Sequence, residues 1–278
     1  MRKTILGALL ILAASILIGC GATSASEDEE KNILIGATAG PYSDQLKEGF
    51  IPILEEDGYT VKVVEFNDYI QPNNALNEGE IDANLFQNRN YLHNFNEDHG
   101  MDLIVPFAVP TAPIALYSEK HTALEDIDDG MKVTLPNDPV NLARSLHMME
   151  DYGWITVDKE VDPITASEKD IEENFYDLVI NPIDPAQTPR SLSDTDFAFV
   201  NGNFALASGL ELEGAVDVEE TSEDFLIYLT VRKEDEDAAF LHALREAYES
   251  EEFLDYTNEN LKGYVKPPYQ VELEGEIN

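Results

Sequence analysis

The chain has 278 residues and a formal charge of −39, set by 56 acids against 17 lysines and arginines. Such an excess repels nucleic acid and anionic lipid headgroups, so neither is expected as a partner. The single cysteine excludes an intrachain disulfide, and 43% apolar residues suffice for the cores of one large or two ordinary domains.

Arg2 and Lys3 precede an apolar run, Ile5 to Gly19, that closes in Leu17-Ile18-Gly19-Cys20. Residues 1–19 read as an export signal, because the run is too short and too poorly flanked for a membrane span. Leu-Ile-Gly-Cys resembles the lipobox of bacterial lipoproteins, which implies cleavage before Cys20 and acylation of that cysteine. Residues 20–31 hold no aromatic or large aliphatic side chain and carry Glu27-Asp28-Glu29-Glu30, the composition of a solvated tether. The expected location is the extracytoplasmic face of the cell membrane, held through the lipid alone. Loss of Arg2 and Lys3 with the leader makes the chain two units more negative still, a surface suited to high external salt.

Beyond the tether the pattern predicts a strand at Ile33 to Ala37, a helix at Gln45 to Leu54 and an alternating strand at Thr60 to Phe66. A helix at Asn73 to Glu78, a strand at Asp82 to Leu85, a helix at Arg89 to His99 and a strand at Leu103 to Val109 follow. Strands separated by helices imply a mainly parallel, two-faced sheet. After Pro110-Thr111-Ala112-Pro113 a second series begins: strands at Ile114 to Tyr117 and Lys132 to Leu135, a helix at Val140 to Tyr152 and a strand at Phe197 to Val200. Phe225 to Val231 reads as a further strand before helices at Ala238 to Tyr248 and Phe253 to Leu261. These last pieces are too few for a third domain and are expected to return to the first. The fold class is therefore α/β, with lobe 1 at 32–113 and 223–278, lobe 2 at 114–222, and a cleft between them where loops from both collect.

An enzyme reading lacks parts. The five histidines have no metal-ligand spacing, and the chain contains no G-x-S-x-G, Walker or G-x-G-x-x-G motif. Carboxylate pairs at any spacing are expected by chance among so many acids. Pro136-Asn137-Asp138-Pro139-Val140-Asn141-Leu142-Ala143-Arg144 says more. A strand meets a turn with two prolines, Asp138 suits a helix N-cap, and Arg144 falls within the first two turns. There a guanidinium and free backbone N–H groups can converge on a carboxylate.

That stretch resembles the P-N-D-P-x-N-x-A-R motif of the methionine-binding lipoproteins of ABC importers, the NlpA/MetQ family. Segments at Val64 to Asn73, Gly79 to Gln87, Val109 to Pro113 and Val200 to Ala205 match the family in the same order, so the likeness spans almost the whole mature chain. The resemblance implies a two-lobe type II periplasmic-binding-protein fold that closes on an amino acid and docks on an ABC permease whose ATPase is a separate chain. It implies no enzyme activity, cofactor or metal.

Residue by residue, the resemblance makes Tyr69, Phe86 and Tyr91 aromatic walls, Arg144 the carboxylate clamp, and Asn141, Asn201 and Asn203 polar contacts to the amino-acid head. Aromatic faces suit a thioether, and amide oxygens suit an ammonium. The chain departs from the family's F-Q-H-x-P-Y at Phe86-Gln87-Asn88-Arg89-Asn90-Tyr91, where Asn88 takes the place of a pocket histidine and Asn90 that of a proline. It departs again at Asp184-Pro185-Ala186-Gln187-Thr188-Pro189-Arg190. Methionine is the expected ligand, with another amino acid, a methionine derivative or a small peptide as alternatives. A surface adhesin and a secreted hydrolase are the rival readings from other classes.

Overall fold

The computed structural model describes residues 31–277, and its strands form two five-stranded sheets and a small two-stranded one. In the first sheet Asn32–Thr38 is central to a parallel set, with Thr60–Phe66 on one side and Ala83–Asn88 on the other. Strand Ile227–Val231 then runs antiparallel between Ala83–Asn88 and Ile104–Val109. The late β-rich run thus inserts into the first sheet, where its residues are buried on both faces. A segment from the chain's end completes a sheet begun near its start.

The second sheet follows the order Asp217–Val218, Ala115–Tyr117, Phe197–Val200, Lys132–Pro136, Val179–Ile183. Phe197–Val200 pairs parallel to Lys132–Pro136 and antiparallel to Ala115–Tyr117. The expectation of mainly parallel sheets holds with one exception in each: four strands of each sheet run the same way, and Ile227–Val231 in the first and Ala115–Tyr117 in the second, each next to a crossover, run against them. Val179–Ile183 was not predicted because Pro182 interrupts it; a proline is tolerated there because the strand lies at the sheet edge. The first helix is also longer than its pattern implied, running through Pro41–Asp44, a wide π-helical stretch Gln45–Phe50, and Ile51–Glu56.

Each lobe packs its own core. Ile35, Leu46, Phe50, Leu229 and Phe253 sit in the first, and Leu135, Leu146, Trp154, Phe197 and Phe199 in the second. A third cluster belongs to neither, since it joins Tyr69, Phe86, Tyr91 and Phe95 to Ala115, Val200, Phe204 and Ala205. Apolar surface from both sheets is buried in one contact, so the lobes are closed on each other. The two crossovers are tied together at Thr111, whose hydroxyl accepts from Ile227 N at 2.7 Å and whose backbone pairs with Val265.

Candidate ligand site between the lobes

The second lobe contributes a helix head. Pro139–Asp151 begins with proline in its first turn, and the Asp138 carboxylate accepts from Asn141 N at 3.0 Å, as an N-cap should. Asp138 also accepts from Asn141 Nδ2 at 3.0 Å, which turns the amide so that its oxygen faces away. Burial raises the Asp138 carboxyl above its usual value, an effect opposed by these N–H bonds. Arg144, one and a half turns further along, is 6% exposed and forms a two-bonded ion pair with Glu219 while stacking on Phe225 at 4.7 Å. The acid partner does not make it a surface arginine.

The first lobe contributes rings. Tyr69 and Phe86 stack at 5.5 Å between centroids, Tyr91 meets both edge-on, and Phe204 of the other lobe closes on Tyr69 at 5.0 Å. Desolvation pushes the Tyr69 and Tyr91 hydroxyls well above the usual phenol range, so they remain neutral donors. Tyr91 gives its proton to Tyr69 O at 3.0 Å, and Tyr69 gives its own to Asn203 Oδ1 at 2.6 Å.

Tyr69, Phe86, Asn88, Tyr91, Asn141, Arg144, Asn201 and Asn203 all line one narrow cavity between the lobes. Their internal commitments differ. Asn88 uses its oxygen to cap the Arg89–His99 helix, accepting from Tyr91 N at 2.8 Å. Asn203 spends both ends of its amide on the first lobe, since its nitrogen donates to Thr38 Oγ1 at 3.2 Å and its oxygen takes the Tyr69 proton. In this closed form it ties the lobes, and it still lines the cavity where its contact to an amino-acid head is expected. By contrast, the Oδ1 atoms of Asn141 and Asn201 are buried and accept no hydrogen bond from the described residues. Buried acceptors of this kind are costly without a donor.

Gly202, between the two asparagines, lies against the crossover. A Cβ there would meet Pro113 O at 2.5 Å and Ala112 O at 2.6 Å, so only glycine lets the helix Gly202–Ala207 begin so close. Tyr42, Thr111, Phe225 and Ile227 also line the cavity and were not foreseen. The apolar pattern puts Phe225 in a strand, but it sits in a 3-10 turn ahead of Ile227–Val231. Glu219 carried no signal, being one acid among 56. Cys20 lies outside the described residues. Taken together, the cavity offers a guanidinium for a carboxylate, unpartnered amide oxygens for an ammonium, and an aromatic wall for an apolar side chain.

A family model described as NlpA lipoprotein matches residues 33–269, which is most of the chain. The chain belongs to the NlpA lipoprotein family. Among the relatives of this NlpA-family chain, the methionine-binding lipoprotein MetQ of Bacillus subtilis is 35% identical over 96% of this chain and 99% of that protein. The D-methionine-binding lipoprotein MetQ of Escherichia coli is 32% identical over 94% and 96%. A nutrient-binding protein from Burkholderia cenocepacia, solved bound to methionine, superposes with a TM-score of 0.80 at 35% identity, covering 84% of this chain and 99% of that one. The fold is thus the two-lobe binding-protein fold with its cleft between the lobes, as the NlpA resemblance implied.

Proposed function

We propose that this chain is the lipid-anchored, extracytoplasmic binding component of an ABC importer, and that it captures methionine for a permease driven by a separate ATPase chain. The observation that carries the ligand class is the cavity itself. One buried guanidinium and two buried, unpartnered amide oxygens face an aromatic wall, a set that complements a zwitterion with an apolar side chain. The names of the relatives support methionine within that class. Function is capture, closure and release, with no bond made or broken. Tyr69, Phe86, Asn88 and Tyr91 are assigned to the side chain, and Asn141, Arg144 and Asn201 to the head group. Asn203 closes the lobes over it.

Lobe 1 is assigned to 32–113 and 223–278 and lobe 2 to 114–222. Cys20 is assigned the lipid, with 1–19 as the removed leader and 20–31 as tether. Replacing Cys20 by serine is expected to abolish acylation and release the protein from membranes; a variant that stays acylated refutes the anchor.

Titration calorimetry of the 20 common amino acids, D-methionine and methionyl dipeptides into the mature protein tests the ligand. Methionine is expected to bind most tightly, in the micromolar range or better, which corresponds to about 8 kcal/mol. Tighter binding of a different amino acid or of a dipeptide would reassign the substrate, and no heat from any of them would refute the transport reading.

A further inference from the structure

Arg144 stands between two spaces. Its side chain lines both the interlobe cavity and a surface recess lined also by Tyr152, Asp217, Glu219 and Phe225. Glu219 lines the recess only. Its two carboxylate oxygens take the N–H groups of Arg144 Nε and Nη2, which is one of the two forks a planar guanidinium presents. The second fork, between Nη1 and Nη2, receives no acceptor from the described residues in the hydrogen bonds and ion pairs Arg144 makes.

The Glu219 carboxylate is itself fixed. Thr221 Oγ1 donates to Oε2 at 2.8 Å, the Glu219 backbone N–H is bound to Ile114 O at 3.1 Å, and the side chain is only 10% exposed. The Phe225 ring covers the guanidinium face. Arg144 therefore cannot rotate without breaking a buried charge pair, which is costly because an unpaired charge would be left in low dielectric.

The pair has a second effect on the cavity. Arg144 and Glu219 sum to zero charge, so the open fork offers directed donors without a net positive field. A zwitterion adds no net charge to that enclosure, and its ammonium does not face an uncompensated cation. A carboxylate lacking the ammonium would instead bring in a net negative charge close to Glu219 and Asp138. We propose that Glu219 is the positioning residue that aims the free fork of Arg144 into the cleft and, by balancing its charge, makes the site select zwitterionic amino acids over simple carboxylic acids. This rests on the amino-acid reading of the site.

The test compares L-methionine with 4-(methylthio)butanoate, the same molecule without its amino group, by calorimetry on wild type, Glu219→Gln, Glu219→Asp and Thr221→Val. Wild type is expected to prefer methionine by at least roughly tenfold. Glu219→Gln should weaken methionine by about tenfold and leave the des-amino acid little changed, so that the preference collapses. Aspartate should restore part of it, because it keeps the charge at a shorter reach. Thr221→Val removes only the hydroxyl that holds Glu219 and should shift the preference the same way by about twofold to threefold, which decides the matter if Glu219→Gln does not fold. Equal losses for both ligands, or an unchanged preference in these variants, would overturn the proposal while leaving methionine binding by wild type intact. Absence of methionine binding by wild type would instead remove the reading on which it stands.

Discussion

The two walls of the cleft are held in different ways. The polar wall is complete within one lobe: Asp138 caps and orients Asn141, Glu219 holds Arg144, and Thr221 holds Glu219. The aromatic wall is tied across the gap, because Tyr69 and Thr38 of the first sheet's side bond Asn203 of the other, and Phe204 packs on Tyr69. A wall whose bonds are internal is present whether the lobes are open or closed. The aromatic rings also stack within the first lobe, but their ties to Asn203 and Phe204 cross the cleft and form only on closure. The contrast teaches a division of labour: the head-group end can dock a ligand first, and the aromatic end can report that it has arrived by shutting over it.

The strongest way to break this contrast is to remove the docking charge. Arg144→Ala is expected to weaken methionine at least roughly tenfold, since hydrogen bonds to charged groups contribute about 1.5–3 kcal/mol, and Arg144→Lys to recover only part because it lacks the planar fork. Calorimetry on folded variants measures this, and scattering should show the unliganded shape unchanged. An Arg144→Ala protein with wild-type affinity would take Arg144 out of the site.

Tyr69→Phe attacks the other wall. It deletes one hydrogen bond and leaves Asn203 Oδ1 without its donor, so affinity should fall by roughly fivefold. Small-angle scattering of the methionine-saturated variant should show a larger radius of gyration than methionine-saturated wild type. An identical radius would mean that the tie does not govern closure.

Asp138 gives a smaller effect with a defined sign. Its folded carboxyl is raised by burial, so its ionisation costs stability that is absent below the unfolded value, about pH 4, and grows as pH rises through the folded value. Asp138→Asn should therefore gain melting temperature relative to wild type between pH 4 and pH 7. A difference that stays constant with pH would show that burial does not perturb this group.

Salt sharpens the comparison between site and surface. Both walls are buried, so affinity should change by no more than about twofold between 0.1 and 1 M sodium chloride, while the melting temperature rises as surface repulsion is screened. Affinity that fell steeply with salt would place the decisive charges in solvent.

The chain by itself determined a good deal about this protein. Residues Arg89 to His99 and Phe197 to Val200 were legible to the residue, because one has the 3.6 period and an asparagine cap and the other is a compact apolar run. The Pro139 helix and its Asp138 cap were legible because capping is a local matter of adjacent residues. Seven of the eight cavity residues came from motif likeness and Asn88 from a departure inside a motif, and all eight share one cavity.

What only the tertiary structure decided lies between distant segments. No local pattern tells that Glu219 holds Arg144, 75 residues away. Nor does one tell that Asn203 ties Tyr69 and Thr38 across the cleft, or that Ile227–Val231 slips antiparallel between two earlier strands. A cap or a helical stripe is written in neighbours three or four residues apart. Partners brought together by closing one sheet on another are chosen by packing, and for an acid drawn from 56 only the folded position distinguishes it from the rest.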